Sequence, residues 1–288
     1  MSARGESLGV DRLVQLPAGP LRYWERGEGS PVVFVHGLLV NADLWRHVVP
    51  VVAGAGHRCL APDWPLGAHE LPVPAADLTP PGLAAIIASF LEELDLHDVA
   101  IVANDTGGAL TQILMADHPE RIGRVVLTPS DSFERFFPPV FAFLPWLARV
   151  PGAVTVLSQV LRLRALHRLP FTFGWVSKRP VPPAYVDSYL GPSRRDAAVR
   201  RDLARFLRGV HRRHTLAAAE RLASFDRPVL LAWAEEDRLF PLSLAHRLAD
   251  VLPDARVVAI EDSYTFVPED QPRVLANLIV AELAPGRR

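Results

Sequence analysis

The chain is poor in cysteine and carries almost no net charge. Cys59 is the single thiol among 288 residues, which excludes an intramolecular disulfide and a cysteine-rich zinc site. The formal net charge of −1 gives no indication of a nucleic-acid or membrane partner. No apolar run is long enough to span a bilayer, and the first residues lack the apolar segment of a secretory signal. We therefore expect a cytoplasmic protein.

Signals for bound cofactors are missing as well. The sequence has no zinc-ligand spacing, and its glycine-rich segment "NDTGGA" does not match the G-x-G-x-x-G pattern of dinucleotide-binding proteins. It also has no internal repeat and no heptad pattern. We expect a protein that works without a metal or an organic cofactor.

Strand-like runs alternate with helical patterns over most of the chain. The runs "RLVQLPAG" and "LRYWERGEG" predict a hairpin, and "PVVFVHG" is typical of a strand buried on both faces. Helical patterns follow the candidate N-caps Asn41 and Thr79. This order predicts βαβ crossovers and an α/β protein with a mostly parallel central sheet flanked by helices.

The alternation stops near Ser132. Residues 133–215 contain several helical patterns and no convincing strand, and the alternation resumes at "RPVLLAWAEED". The simplest account is an α/β core of residues 1–132 and 216–288 with a helical cap inserted at residues 133–215. This position predicts that the cap covers the carboxyl edge of the sheet, where open α/β sheets bind ligands.

The segment "ANDTG" has the form of a nucleophile elbow, in which a small residue precedes and a glycine follows a reactive side chain. Asp105 takes the place where serine is more usual. The turn from strand to helix is sharp, so bulky groups at Ala103 or Gly107 would collide with neighbouring backbone. A carboxylate needs no base to attack a saturated carbon. The alternative is an ordinary helix with Asp105 as its N-cap.

Two further loops complete a candidate site. The strand "VFVHG" ends in His36 and Gly37, so that the N–H groups of Leu38 and Thr106 are expected to face a developing oxyanion. His36 itself is expected to have a structural role. In "LAWAEEDRLFP", Asp237 follows a strand at the position of an acid that orients a catalytic histidine, although a solvated acidic loop looks similar.

These motifs together resemble the α/β-hydrolase fold superfamily, over almost the whole chain. Aspartate at the elbow makes the sequence similar to the haloalkane dehalogenase and epoxide hydrolase branch. This resemblance implies that Asp105 forms an alkyl-enzyme ester, and that a water activated by a histidine hydrolyses it. It also implies the chain order of nucleophile, acid and histidine, which Asp105 and Asp237 follow.

The sequence departs from the related pattern at the position of the catalytic histidine. The last loop reads "DSYTF", so that Thr265 stands where the related pattern has histidine, and no histidine follows His246. The positions that hold halide in related dehalogenases carry Leu38 and Thr106. Leu39 stands where epoxide hydrolases usually have proline. We therefore expect ordinary dehalogenase or epoxide hydrolase turnover to be weak or absent.

A pocket for a hydrophobic small molecule is expected between the cap and Asp105. Apolar residues in "FERFFPPVFAFLPW" suit such a lining, although the same stretch also fits a packed core. Asp131 is expected either to pair with Asp105 and raise a pKa, or to cap the first helix of the cap. The residues that we assign to the pocket are Asn104, Asp131, Phe133, Trp175, Tyr264 and Thr265.

Three functions remain open at this level. A histidine of the cap, His167, His211 or His214, could replace the missing base, although solvated histidines are common in arginine-rich helices. Asp105 could instead act as an acid and base in a cyclisation, isomerisation, elimination or addition. The chain could also be a catalytically silent binding protein on the same fold.

Overall fold

The computed structural model describes residues 3–170 and 172–284. Its centre is one sheet in the order β1-β2-β4-β3-β5-β6-β7-β8. Strand β2 is antiparallel to both β1 and β4, and the other neighbours are parallel. The predicted hairpin and the mostly parallel sheet are confirmed. The strands are β1 (Val10–Leu16), β2 (Gly19–Arg26), β3 (Ser30–Val35), β4 (His57–Pro62), β5 (Val99–Asp105), β6 (Ile122–Ser130), β7 (Val229–Ala234) and β8 (Ala255–Ile260).

Twelve α-helices occur in the described part of the chain, and seven of them lie wholly outside residues 133–215. These seven are α1 (Ala3–Leu8), α2 (Val49–Gly54), α3 (Pro80–Glu93), α4 (Thr106–Asp117), α10 (Leu242–Val251), α11 (Val267–Asp270) and α12 (Pro272–Leu283). The other five are α5 (Leu144–Leu147), α6 (Ala153–Val160), α7 (Pro183–Arg195), α8 (Ala197–Gly209) and α9 (Arg213–Ala219).

Local sequence explains where two of these helices begin. Thr79 caps α3, because its side chain accepts a hydrogen bond from the N–H of Gly82 at 3.3 Å. The helix predicted after Asn41 is divided: Asn41 caps a short 3₁₀ turn, Ala42–Trp45, and α2 begins only at Val49. Pro50 has no N–H to continue the first turn, so the helix restarts there.

The segment of residues 133–215, which we call the cap segment, contains α5 to α8. Among its described residues there is no strand, only a single bridge between Ser132 and Arg135 at its start. Helix α9 crosses the predicted boundary after residue 215 and packs against α4 of the core. The end of the cap segment therefore belongs structurally to the core.

Two buried carboxylates join the cap segment to the core. Asp270 accepts hydrogen bonds from the N–H groups of Lys178, Arg179 and Tyr264 at 2.8 to 3.0 Å. The Glu269 carboxylate accepts hydrogen bonds from the Arg46 guanidinium at 2.6 Å and from the Tyr189 hydroxyl at 2.9 Å. Both carboxylates lie on α11, so this short helix fixes the cap segment over the sheet.

Candidate active site

Asp105 lies at the sharp turn between β5 and α4. Its backbone has φ 56° and ψ −132°, a conformation that residues other than glycine seldom adopt. A Cβ on Gly107 would fall inside the contact distance of the Val35 and His36 carbonyl oxygens. A Cβ on Gly37 would collide with the Asp105 carboxylate. The small residues therefore allow a strained turn that directs Asp105 away from the sheet.

Two backbone N–H groups meet at the Asp105 carboxylate. The N–H of Leu38 donates to Oδ2 at 3.2 Å, and the N–H of Thr106 also donates to this carboxylate. His36 supports the turn that carries Leu38. Its Nε2 accepts the N–H of Trp64 at 2.9 Å, so the proton resides on Nδ1, which donates to the Gly37 carbonyl at 2.9 Å. The imidazole is thus engaged by backbone groups on both nitrogens.

Asp237 lies in the loop after β7, and its Oδ2 atom is buried although the residue as a whole is partly exposed. Its Oδ1 accepts the N–H groups of Leu239 and Phe240 at 2.7 and 2.6 Å. The hydroxyl of Thr265 lies beside it and lowers its pKa, although Thr265 Oγ1 and Asp237 Oδ2 make no hydrogen bond of normal geometry. Asn104 holds the loop after β8, in which Thr265 lies, because its amide donates to the Thr265 carbonyl at 2.7 Å.

Burial dominates the protonation of the three carboxyl groups. It raises the pKa of Asp105 to about 7, against the opposing N–H groups of Thr106 and Leu38 and with a further increase from the charge of Asp237. It also raises the pKa of Asp237 to about 7. Burial and then the Asp105 charge raise the pKa of Asp131 well above its ordinary value, while the Thr106 hydroxyl, which donates to it at 3.2 Å, opposes them.

The Asp105 carboxylate opens onto an apolar cavity of about 140 Å³ between the sheet edge and the cap segment. A cavity of this size holds a molecule comparable to benzene. Its polar side chains are Asp105, Thr106 and Thr172. The lining consists of Leu38, Leu39, Asp105, Thr106, Phe137, Pro138, Phe141, Phe143, Leu144, Leu157, Val160, Leu161, Leu166, Thr172, Phe173, Val176, Leu190 and Phe266.

The structure corrects the predicted pocket residues, because none of the six is part of this lining. Asn104 and Thr265 are fully buried, and the Asn104 amide donates a hydrogen bond to the Thr265 carbonyl. Asp131 lies behind Thr106, and its Oδ1 has no hydrogen-bond partner. Phe133 packs under the Arg247 guanidinium, whose Cζ lies 3.9 Å from the centre of the Phe133 ring.

The other two predicted pocket residues also pack elsewhere. Tyr264 lies under the Arg238 guanidinium, whose Cζ is 4.5 Å from the centre of the Tyr264 ring. Trp175 is half-buried and packs against the core. Phe173 and Phe266 take their places in the lining. The sequence had indicated the right apolar stretch for the lining, since Phe137, Phe141 and Phe143 come from "FERFFPPVFAFLPW". It did not indicate which of its side chains face the cavity.

The cap histidines do not reach Asp105. His167 donates through Nε2 to the Leu161 carbonyl at 2.8 Å. His211 and His214 lie beside Arg213, which donates to a ring nitrogen of each. No histidine occurs among the described lining residues of the cavity. Within residues 3–170 and 172–284, no cluster of three or more His, Cys, Asp or Glu side chains is arranged to hold a metal ion.

Comparison with known proteins assigns the chain to a family. The sequence model of the α/β hydrolase fold matches residues 30–272. The chain belongs to the α/β hydrolase fold family. It is 26% identical to the uncharacterized hydrolase YugF of Bacillus subtilis over 259 residues, which are 86% of this chain and 88% of that protein.

Haloalkane dehalogenases are similar over a shorter part of the family fold. The chain is 36% identical to haloalkane dehalogenase 1 of Mycobacterium tuberculosis over 98 residues, about a third of each chain (34% and 33%). Among solved structures, the epoxide hydrolase CorEH superposes with a TM-score of 0.81 at 18% identity, covering 96% of this chain and 99% of that chain. The haloalkane dehalogenase DatA of Agrobacterium tumefaciens superposes with a TM-score of 0.77 at 24% identity, covering 95% and 96%. These two likenesses concern the fold alone.

Proposed function

We propose that this α/β-hydrolase-fold protein is an enzyme for an apolar small molecule, and that Asp105 transfers the proton in the reaction. One observation carries the proposal: a carboxyl group with a pKa of about 7 faces an apolar cavity. At neutral pH such a group is present in both protonation states, so it can donate a proton in one step and accept one in the next.

Hydrolysis of an alkyl ester fits this site less well, because it needs a base to activate water. The described polar side chains of the lining, apart from Asp105, are the hydroxyls of Thr106 and Thr172. The Thr172 hydroxyl is engaged with the Leu166 carbonyl, and that of Thr106 donates to Asp131. A threonine hydroxyl does not take up a proton near neutral pH. Thr265, at the position of the related histidine, is fully buried and is not part of the cavity lining.

The surroundings of Asp105 favour a proton transfer in both directions. When the neutral carboxyl donates its proton, the N–H groups of Leu38 and Thr106 stabilise the carboxylate that forms. The negative charge of Asp237 and the loss of solvation oppose that ionisation, so the proton returns readily. Such a group catalyses a cyclisation, isomerisation, elimination or addition within an apolar substrate.

A second candidate function is attack by the Asp105 carboxylate on a haloalkane or an epoxide, as the names of the haloalkane dehalogenase and epoxide hydrolase relatives suggest. The strained turn and the Leu38 N–H support this candidate. The alkyl ester would then persist, because Thr265 cannot activate water. Replacing Thr265 by histidine would restore the missing base beside Asp237.

The two candidates differ in what happens to the Asp105 carboxyl oxygens. The protein is incubated with a primary bromoalkane and with a terminal epoxide in ¹⁸O-water, and its intact and peptide masses are recorded. Ester hydrolysis places solvent oxygen in the carboxyl group, because water attacks the ester carbonyl. A stable adduct that only Thr265→His releases would support the second candidate. Unlabelled Asp105 without an adduct is expected for a proton-transfer enzyme, and Asp105→Asn is the control.

The proton-transfer function is tested directly by titration. Carbon-13 spectra of aspartate-labelled protein are compared with those of Asp105→Asn to assign the Asp105 carboxyl signal. We expect its midpoint near pH 7, as the buried position implies. A midpoint below pH 5 would contradict the proposal, because the group would then be a permanent carboxylate at neutral pH. A midpoint near 7 in a protein without turnover on any apolar library would favour a binding protein instead.

A further inference from the structure

The charges of the chain are unevenly distributed, although their sum is near zero. Residues 135–186 contain seven Arg or Lys residues and no Asp or Glu. The whole chain has a formal net charge of −1, so the remainder is acidic. Most of the cap segment is therefore a basic region on an otherwise acidic protein.

The same region exposes large apolar side chains. Phe143 and Trp146 are three residues apart at α5, and Val156 and Val160 are four residues apart on α6, so each pair shares one side of its helix. Trp146 is 65% exposed. We call this surface the apolar cap face, and its exposed members are Phe143, Trp146, Val150, Val156, Val160 and Leu163.

The cavity of Asp105 reaches the surface at this face. Phe143 and Val160 both line the cavity, yet each is more than a third exposed to solvent. Phe143 immediately precedes α5 and Val160 is the last residue of α6, so the cavity reaches solvent beside these two helix ends. An apolar molecule that leaves the cavity here passes over exposed apolar side chains.

Exposed arginines lie beside the members of the apolar cap face along the chain. Arg149 and Arg168 make no side-chain hydrogen bond or ion pair with any described residue. Arg162 donates only a long hydrogen bond of 3.5 Å to Gln159, and Arg164 pairs with Asp187 on the surface. Free cations beside exposed tryptophan and aliphatic side chains match the chemistry of an anionic lipid interface. Two copies of the chain facing each other here would bring cations together, which disfavours a symmetric dimer.

We propose that the apolar cap face docks on an anionic membrane surface, so that the cavity of Asp105 opens toward lipid. Tryptophan and aliphatic side chains would enter the headgroup boundary while the arginines contact lipid phosphates. Entry of an apolar substrate from the bilayer rests on the proposed function, but the docking itself does not. The near-zero overall charge conceals this region, which explains why composition gave no indication of a membrane partner.

Binding of the full chain to lipid vesicles tests the proposal. Sedimentation is measured with vesicles of phosphatidylcholine alone and of phosphatidylcholine mixed with phosphatidylglycerol. We expect binding to the anionic vesicles that weakens as salt is added, because salt screens the arginine contacts. Trp146→Asp should abolish it. The matched control is Leu13→Asp on β1, where the side chain is also 65% exposed but lies outside the basic region.

Neutralising single arginines tests the electrostatic part. Arg149→Gln should weaken the partition into anionic vesicles about fivefold, the factor that corresponds to roughly 1 kcal/mol per basic residue near an anionic surface. Arg273→Gln, an exposed arginine on α12 of the core, should leave the partition unchanged.

Three results would overturn the docking proposal. They are equal loss of binding in the Leu13 and Trp146 variants, no binding to anionic vesicles, or a dimer in solution that Trp146→Asp dissociates. The Asp105→Asn variant separates docking from catalysis, because it should bind vesicles as the unchanged protein does. Vesicle binding without any turnover would therefore refute the proposed function and leave the docking surface intact.

Discussion

Asp237 should destabilise the folded protein at neutral pH, and replacing it by asparagine should therefore stabilise it. Its Oδ2 is buried without a hydrogen-bond partner, and no described Arg, Lys or His forms an ion pair with it. Asparagine keeps an oxygen for the N–H groups of Leu239 and Phe240. Its amide can also donate to Thr265 Oγ1, which has no hydrogen bond of normal geometry.

The pKa of Asp237 sets the magnitude of this effect. Burial raises it from 3.8 to about 7, so the folded protein keeps the proton to a higher pH than the unfolded chain does. The contribution of Asp237 to the free energy of unfolding therefore falls as pH rises from about 4 to about 7, and it is constant above that range. This rise in the pKa of Asp237 corresponds to at most about 4 kcal/mol at pH 8. With allowance for local relaxation, we expect Asp237→Asn to gain about 2 kcal/mol or more.

Urea unfolding at pH 8 and pH 5 measures the prediction. The gain should be present at pH 8, where thermal unfolding of the variant should also show a Tm higher by about 5 °C or more. At pH 5 it should be less than half as large, because the folded state still holds the proton while the unfolded chain, with its pKa of 3.8, has already lost most of it. Asp250→Asn is the control, because this aspartate is exposed on α10 and its replacement should change stability by less than about 0.5 kcal/mol. An equal loss of stability at both pH values would refute the reasoning, since it would mean that the carboxylate is needed for packing.

Further predictions concern the rest of the fold and the site. Gly107→Ala should lower the free energy of unfolding by about 3 kcal/mol, because its Cβ meets backbone carbonyls, whereas Gly54→Ala in open space should be neutral or slightly stabilising in urea unfolding. Arg46→Met should cost about 3–5 kcal/mol because it leaves Glu269 buried without its cation, while Arg247→Met in a half-exposed pair should cost less than about 1 kcal/mol. Asp237→Asn should also lower the midpoint of the Asp105 carboxyl signal, since the Asp237 charge raises that pKa.

The strained turn at Asp105 was predictable because its cause is local. Small residues on both sides of a reactive position are typical of a strand that turns directly into a helix, and Gly107 is small because Val35 lies against it. The N–H of Leu38 was predictable for the same reason, since it follows the next strand at the same edge of the sheet.

The cavity lining was not predictable, because it depends on how the cap segment folds over the sheet. Phe133 and Trp175 are as apolar as Phe137 and Phe173, and no periodic pattern distinguishes them. Phe133 has φ 52° and packs under an arginine, whereas Phe137 faces the cavity. Only the path of the chain between β6 and α9 decides this difference.

The sequence by itself determined the order of strands and helices, the aspartate at the elbow and the threonine in place of histidine. Each depends on residue identity, periodicity or the sterics of adjacent residues. The tertiary structure alone decided the protonation of Asp105 and Asp237, because desolvation depends on how many atoms from distant segments surround a carboxyl group. It also decided which side chains line the cavity, because they come from the core and the cap segment together.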